Sequence, residues 1–164
     1  MRILGIDPGV TSGWCVYDAS AKRVSARGQF AGHELDVPHS TLSTLDVVVV
    51  ERPQGYGHTR PTMVDCGYVT GRLVERVTRL AHRVVELTRR EIKLRLSAAT
   101  QRDVVVVDDA TCWAALKLLH GEGCDKKGGA LHCVKAHERA ALAVAVAWML
   151  ADASATPAQV GVAS

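Results

Sequence analysis

The chain has 164 residues, which at roughly 150 residues per domain is enough for one domain with a single packed core. Hydrophobic residues make up 48% of it and charged residues 23%, which excludes collagenous, low-complexity and broadly disordered proteins. The net charge of +3 is too small to indicate a nucleic-acid-binding protein by itself.

The apolar segments of the sequence are short. Residues 140–150 form one of the longest, well below the roughly 18 residues that a transmembrane helix needs, so we expect no membrane association. Asp7 lies where a signal peptide requires apolar residues, which favours a cytoplasmic protein. The five cysteines form no C-x-x-C pair and are predicted to be reduced thiols.

The first third of the chain is predicted to contain four strands. Apolar segments separated by turn residues predict strands at 2–7, 12–18 and 23–30, which would pair as an antiparallel meander. Four consecutive valines at 47–50 predict a further strand that is buried on both faces and ends at Glu51.

The rest of the chain is predicted to be mostly helical. The pattern of apolar residues predicts a helix at 62–80, a strand at 84–87, and helices at 89–96, 110–120 and 134–151. The segment 104–107 fits either a strand or the first turn of a helix. We therefore predict one α/β domain over residues 1–153, a mixed sheet covered by helices, with a flexible tail at 154–164.

Two acidic residues each close a predicted buried strand. Asp7 lies at the end of the first strand and Glu51 at the end of the valine strand. If these strands are neighbours, the two carboxylates repel unless a proton or a cation neutralises them, and Mg²⁺ or Mn²⁺ is the natural partner of such oxygen ligands. The alternative is structural: Asp7 is then a turn residue before Pro8, and Glu51 an ordinary strand end.

Three sequence blocks resemble, in the same order, those of the RuvC-like Holliday-junction resolvases of the RNase H-like superfamily. The blocks are Gly5–Gly9 followed by Ser12–Trp14, then Val50–Pro53, and finally Gly128–Ala145. The resemblance covers residues 1 to about 150 and is strongest to the compact bacterial and phage-type members.

That resemblance implies an RNase H-like fold and a crossover junction endodeoxyribonuclease. Such an enzyme is a structure-selective, divalent-metal-dependent nuclease that hydrolyses phosphodiester bonds in four-way junctions or related branched DNA during recombination and repair. It implies two Mg²⁺ or Mn²⁺ ions, with Asp7 and Glu51 among their ligands. It also implies a homodimer, since two symmetric cuts are needed, in the cytoplasm of a bacterial cell or phage-infected host.

The last predicted helix departs from the family pattern. The family commonly has an acid or a histidine there, followed three residues later by another acid, whereas this chain has His137 and Ala140. His137 is a candidate metal ligand or base, and Glu138 is a candidate replacement for the missing acid. Asp109, or less readily Asp108, could supply that carboxylate from the preceding helix, although either acid also fits a simple helix cap.

A zinc site is an alternative explanation for the ligands near the last helix. Cys124, His132, Cys133 and His137 lie within fourteen positions, and zinc would require that segment to close tetrahedrally around them. The spacing lacks a C-x-x-C or H-x-x-x-H pair, which argues against zinc.

Positive charge is concentrated in the middle of the chain. Between Arg60 and Arg95 there are nine basic and four acidic residues. Regularly spaced arginines could follow a phosphate backbone or simply form a solvated helix face. Lysines near the glycine-rich loop would lie close to the scissile phosphate, and one tyrosine after Glu51 could wedge into a junction or pack internally. These candidate DNA-binding residues are Arg72, Arg76, Arg79, Arg83, Lys126, Lys127, Lys135 and Tyr56.

Two other classes of function fit parts of the sequence. The first is a non-catalytic RNase H-like protein that binds branched DNA and has lost its chemistry through Ala140. The second is a sugar-kinase-type phosphotransferase, whose phosphate loop resembles Asp7–Ser12, but such enzymes need two lobes and the chain is too short for them. The helix at 62–80 is the candidate dimer interface, and its apolar stripe is equally explained by packing on the sheet.

Overall fold

A computed structural model describes residues 1–54, 61–80, 83–101 and 103–155. Five strands form one sheet in the order β3-β2-β1-β4-β5. The strands are β1 (Arg2–Asp7), β2 (Thr11–Asp18), β3 (Arg23–Ala31), β4 (Val47–Arg52) and β5 (Val84–Thr88). The pairs β1–β2 and β2–β3 are antiparallel, whereas β4 runs parallel to both β1 and β5. The carboxyl ends of β1, β4 and β5 therefore share one edge, named here the carboxyl edge.

Helices cover both faces of this sheet. The elements α1 (His39–Leu42) and α2 (Pro61–Thr78) lie on one face, and α3 (Arg89–Ala99), α4 (Asp109–His120) and α5 (Ala136–Ala155) lie on the other. The valine strand explains this arrangement, because successive side chains point to opposite faces. Val48 and Val50 are buried with the α2 side, and Val47 and Val49 with the α5 side.

The packing of α5 on the sheet is close enough to require glycine at two positions. A Cβ atom at Gly5 would overlap the carbonyl oxygen of Ala141, and one at Gly13 would overlap the carbonyl oxygen of His137. The alanine-rich helix presents small side chains to β1 and β2, and residues 141 to 147 are essentially inaccessible to solvent. The first turn of α5 is thereby held at the carboxyl edge.

The mixed sheet and its covering helices confirm the predicted fold class. Most element ends differ from the predicted ones by one to four residues. The segment 104–107 is neither strand nor helix, because its backbone bonds to side chains instead: Val106 N–H donates to Ser97 Oγ and Val107 N–H donates to Thr111 Oγ1. The four-residue α1 was not predicted.

Three further expectations concern the chain as a whole. All five cysteines are free thiols. Helix α5 extends to Ala155, past the predicted start of the tail at residue 154, and residues 156–164 lie outside the described part. Within the described ranges, no helix is both long and apolar enough to cross a membrane.

Candidate active site

The two strand-end acids lie side by side at the carboxyl edge. Ile6 of β1 pairs in register with Val50 of β4, so the next residues, Asp7 and Glu51, are also neighbours across the two strands. The sequence left open that Asp7 is only a turn residue and Glu51 only a strand end. Because the two carboxylates are neighbours, they can act together on one ligand. Both side chains are largely buried, with Glu51 12% and Asp7 20% exposed.

Burial makes ionisation of both acids unfavourable. Loss of solvent raises the pKa of Asp7 to about 6, with a further contribution from the charge of Asp109, while Arg89 acts in the opposite direction. Burial likewise raises the pKa of Glu51 to about 7, against the opposing effect of Arg89 and reinforced by Asp7. An added cation would relieve this cost, so the electrostatics favour a positively charged ligand here.

Arg89 already places one positive charge among these acids. Its Nη1 donates to Glu51 Oε2 at 2.9 Å, and its Nη2 is paired with Asp109 Oδ1. Arg89 is the first residue of α3, and a capping box between Thr88 and Glu91 fixes the start of that helix. From the sequence alone, Arg89 is only one of the basic residues between Arg60 and Arg95. The sequence did contain one signal for a role of Arg89 in the site. Arg89 directly follows a strand that runs parallel to the strands with Asp7 and Glu51 at their carboxyl ends.

His137 approaches Asp7 from α5. Its Nδ1 lies 3.8 Å from Asp7 Oδ2, and its side chain is about half exposed. Both residues line a cleft of about 390 Å³ that also contains Arg89, Asp109 and Ala140. Ala140 therefore faces the site at the position where the resemblance implies an acid, and among the described side chains of α5 no carboxylate lines the cleft in its place.

Glu138 points away from this cleft. Its carboxylate lies 3.3 Å from Arg27 Nε on β3 and accepts a hydrogen bond of 2.8 Å from the backbone N–H of Lys135. The side chain therefore caps the start of α5 and ties it to the sheet. The prediction that Glu138 replaces the missing acid in the cleft is therefore wrong for this arrangement, because Glu138 adjoins His137 on the helix and adjacent residues on a helix point about 100° apart.

The two aspartates at the start of α4 have different roles. Asp108 is the N-cap and accepts a hydrogen bond from the backbone N–H of Thr111 at 2.8 Å, which holds its pKa below the usual range. Asp109 is exposed on the cleft side and pairs with Arg89. Of the three candidates for the missing carboxylate, Glu138, Asp108 and Asp109, only Asp109 lines the cleft.

The zinc alternative does not fit the described structure. Among the described residues, no group of three or more His, Cys, Asp or Glu side chains converges closely enough to hold an ion. Cys124 is buried and its thiol donates to the carbonyl of Lys117. Among the described contacts, the one that His132 makes with another of the four candidate zinc ligands is with its neighbour Cys133. His137 is drawn to Asp7 instead.

The cleft also contains residues that the sequence analysis did not single out. Arg139 stacks on the ring of Trp113 at 4.4 Å from its centroid, and its Nε donates to the carbonyl of Val134. Nothing in the spacing of these residues indicated the contact, because it depends on how α4 and α5 meet. Cys112 lines the same cleft, and burial raises the pKa of its thiol to about 11, so it stays protonated at neutral pH.

The arginines of the basic segment are divided between two faces. Arg72 and Arg76 lie on the exposed side of α2 and Arg79 directly follows this helix, and Glu75 pairs with Arg72 at 3.1 Å and with Arg79 at 2.6 Å. Arg83 instead precedes β5 and stacks on Trp148 of α5, on the other face of the sheet. The structure therefore does not bring Arg83 together with the other three.

The lysines are also divided. Lys126 and Lys127 lie in the loop after α4, which packs near the start of β3, since Val24 N–H donates to the carbonyl of Ala130. That end of the molecule is opposite the carboxyl edge, so these two lysines do not accompany the acids. Lys135, directly before α5, does lie at the site end. Tyr56 lies outside the described residues.

The fold of this chain is similar to that of several solved structures. No family model and no curated protein matches the sequence. Among solved structures, the chain is similar to T. thermophilus RuvC in complex with a Holliday junction substrate, with a TM-score of 0.61 and 17% identity over 95% of this chain and 97% of that one. A second Thermus thermophilus RuvC structure gives 0.63 and 15% over 95% and 98%. The yeast mitochondrial Holliday junction resolvase Ydc2 gives 0.52 and 13% over 93% and 79%.

These likenesses define the class of fold, an RNase H-like mixed sheet with helices on both faces. Within that class the chain has the RuvC-like arrangement over nearly its whole length. The resemblance stated from the sequence blocks is therefore confirmed at the level of the fold.

Proposed function

We propose that the protein is a divalent-metal-dependent endonuclease that resolves Holliday junctions or related branched DNA. The observation that carries the proposal is the pair Asp7 and Glu51, buried side by side at the carboxyl ends of adjacent parallel strands in a RuvC-like fold. The similar structures include RuvC bound to a Holliday junction substrate, which supports branched DNA as the substrate class.

The donor set suits a hard divalent cation. Asp7 and Glu51 offer carboxylate oxygens and His137 an imidazole nitrogen, which are ligands accepted by Mg²⁺ and Mn²⁺, whereas Asp109 is paired with Arg89. Among the described residues no three of these side chains converge on one point, so an ion would have to draw them together. The raised pKa values of Asp7 and Glu51 are consistent with a site that needs added positive charge. Bound divalent ions, two in the full proposal, would supply an activated water and stabilise the leaving oxygen.

The residues of the chain would have distinct tasks in that reaction. Asp7 and Glu51 would hold the cations, and Asp7 would also orient His137 through the contact between Oδ2 and Nδ1. His137, half exposed in the cleft, would take a proton from the attacking water or contribute a ligand. Because Cys112 stays protonated, hydrolysis by water is favoured over a covalent route through this thiol.

The DNA would approach across the cleft and the α2 face. Arg139 is held by Trp113 and Val134, so its guanidinium is positioned in advance to meet a phosphate beside the acids. Lys135 adds charge at the same end. The exposed arginines on and directly after α2, namely Arg72, Arg76 and Arg79, would contact a more distant phosphate backbone.

We further propose a homodimer, since two symmetric cuts require two sites. The buried side of α2, with Leu73 and Val77 inaccessible to solvent, packs on its own sheet and is not available to a partner. Val64 and Tyr68 are instead 61% and 62% exposed on the same helix. Light scattering should give twice the monomer mass, and Tyr68→Asp should shift it toward the monomer.

The decisive test compares cleavage of a labelled four-way junction with that of a matched linear duplex, in Mg²⁺ or Mn²⁺ and in chelator. We expect paired nicks across the junction only with metal. Asp7→Asn should abolish them while leaving junction affinity unchanged or higher, because it removes charge from the site but not volume. Asp36→Asn, an exposed acid outside the site, is the matched control. Metal-independent cutting, or equal cutting of the duplex, would refute the proposal.

A second candidate function has a specific observation in its favour. Ala140 faces the cleft and Arg89 pairs with two of the acids, which is compatible with a branched-DNA-binding protein that performs no chemistry. Tight junction binding with no cleavage in either metal would establish this function. In that case Asp7→Asn would have no activity to remove.

A further inference from the structure

Arg89 is held between two acids that belong to different parts of the fold. Glu51 lies near the carboxyl end of β4 and Asp109 begins α4, and the same guanidinium contacts both. Its side chain is 25% exposed, so this is a partly buried cation at the carboxyl edge. Within the described residues, no three acidic, histidine or cysteine side chains converge on a common point.

The guanidinium provides the charge that the metal-free site would otherwise lack. Burying a carboxylate without a counter-charge is costly, and Arg89 opposes the ionisation cost of both Asp7 and Glu51. Its planar geometry allows one nitrogen to bond Glu51 while another bonds Asp109. Arg89 therefore stabilises the site in the absence of metal.

The same contacts compete with a metal ion. A cation bound by Asp7 and Glu51 needs the Glu51 carboxylate, one oxygen of which is already committed to Arg89 at 2.9 Å. Two positive centres cannot share that partly buried position without strong repulsion. Binding of the ion must then displace the guanidinium from Glu51, and Asp109, which already pairs with Arg89, keeps it on the same side of the site.

From these contacts we propose that Arg89 is an internal counter-cation that holds the acids of the metal-free site and must leave Glu51 when a divalent ion binds. This inference rests on the proposed function and adds a positioning residue to it. Arg89 thereby lowers the affinity of the site for metal while raising the stability of the metal-free protein.

The test measures Mn²⁺ binding by calorimetry and thermal unfolding with and without Mn²⁺, neither of which depends on cleavage. Arg89→Gln should bind Mn²⁺ at least about tenfold more tightly than the unaltered protein, because hydrogen bonds to charged groups contribute on that order. The midpoint of thermal unfolding of this variant without metal should be lower than that of the unaltered protein. Adding Mn²⁺ should raise the midpoint of the variant by more than it raises that of the unaltered protein. Arg90→Gln, which makes the same charge change at the exposed neighbouring position, should leave both values unchanged.

Arg89→Lys covers the possibility that the glutamine variant does not fold. Lysine keeps the charge but not the two-pronged geometry, so its metal affinity should lie between those of the unaltered protein and the glutamine variant. A folded Arg89 variant whose Mn²⁺ affinity is unchanged or weaker would overturn the inference alone, provided that the unaltered protein binds Mn²⁺. Absence of Mn²⁺ binding in all three proteins would overturn the proposed metal-dependent function together with it.

Discussion

At the scale of single residues, the molecule carries an electrostatic cost at its carboxyl edge. The folded protein raises the pKa of Asp7 from 3.8 to about 6 and that of Glu51 from 4.5 to about 7, in both cases chiefly by burial. At pH values between the unfolded-state and folded-state pKa of each acid, the folded protein binds more protons than the unfolded protein. The stabilising contribution of the protonated acids is therefore complete below about pH 4 and is lost as the pH rises through about 7.

This cost gives a prediction for the metal-free protein. Asp7→Asn should increase the free energy of unfolding at pH 8 by about 1–3 kcal/mol, at roughly 1.4 kcal/mol per unit of pKa shift. The difference between the variant and the unaltered protein should disappear near pH 4. Urea unfolding at successive pH values in chelator measures both quantities. A difference independent of pH, or shared by Asp36→Asn, would contradict this explanation.

The sequence predicted part of this site because the relevant signal is local. Asp7 and Glu51 each follow a strongly apolar strand, and a parallel arrangement of those strands brings them together. The pairing of Arg89 with Glu51 joins residues 38 positions apart, and it depends on β5 lying next to β4. The role of Glu138 depends on Arg27 of β3, and no sequence pattern connects those two residues.

At the scale of elements, the position of His137 depends on how closely α5 can approach the sheet. Gly13 lies under the carbonyl oxygen of His137 itself, and Gly5 lies under that of Ala141 one turn later. The distance between His137 and Asp7 is thus set by backbone packing as well as by the two side chains.

Gly13→Ala should therefore destabilise the protein and disturb the site together. We expect a loss of about 1–3 kcal/mol in the free energy of unfolding, since the added methyl group must displace the helix backbone. Gly71→Ala in α2 is the control, because a Cβ there meets no atom within 4 Å, and it should stabilise by about 0.5–1 kcal/mol. Chemical denaturation of both variants checks the sign. Equal effects at the two positions would contradict the close approach of α5.

Elements whose pattern is set by their own residues were predicted well. The four valines of β4 and the alternation between apolar segments and turns identified all five strands of the sheet. The segment 104–107 was not resolved by its pattern, because its conformation depends on Ser97 of α3 and Thr111 of α4. An apolar sequence with high strand propensity is there held outside the sheet by side-chain hydrogen bonds.

At the scale of the whole molecule, the basic residues separate into positions that one DNA molecule could reach and positions that it could not. Arg76 lies on the exposed side of the last turn of α2, on the face of the sheet that α2 covers. Arg83 precedes β5 and lies on the face covered by α5, where it contacts Trp148 and Asp152. The position of an arginine within the basic segment 60–95 does not indicate on which face of the sheet it lies.

Junction binding measured over a series of salt concentrations tests the separation. Arg76→Ala should weaken binding and reduce the slope of log affinity against log salt by about 1, since one phosphate contact is lost. Arg83→Ala should leave that slope unchanged although it removes the same charge. Equal slopes for the two variants would mean that the α2 face does not follow the DNA backbone.

The order of the strands also has a kinetic consequence. The three residues that meet at the carboxyl edge, Asp7, Glu51 and Arg89, lie at the carboxyl ends of three different parallel strands, and parallel strands can pair only after long crossover segments have closed. Loop closure of this length slows folding, so β1, β4 and β5 need not associate at the same moment. The geometry of the site is complete only when all three are paired, and metal binding followed during refolding should therefore recover in the last phase, after most helical structure has formed.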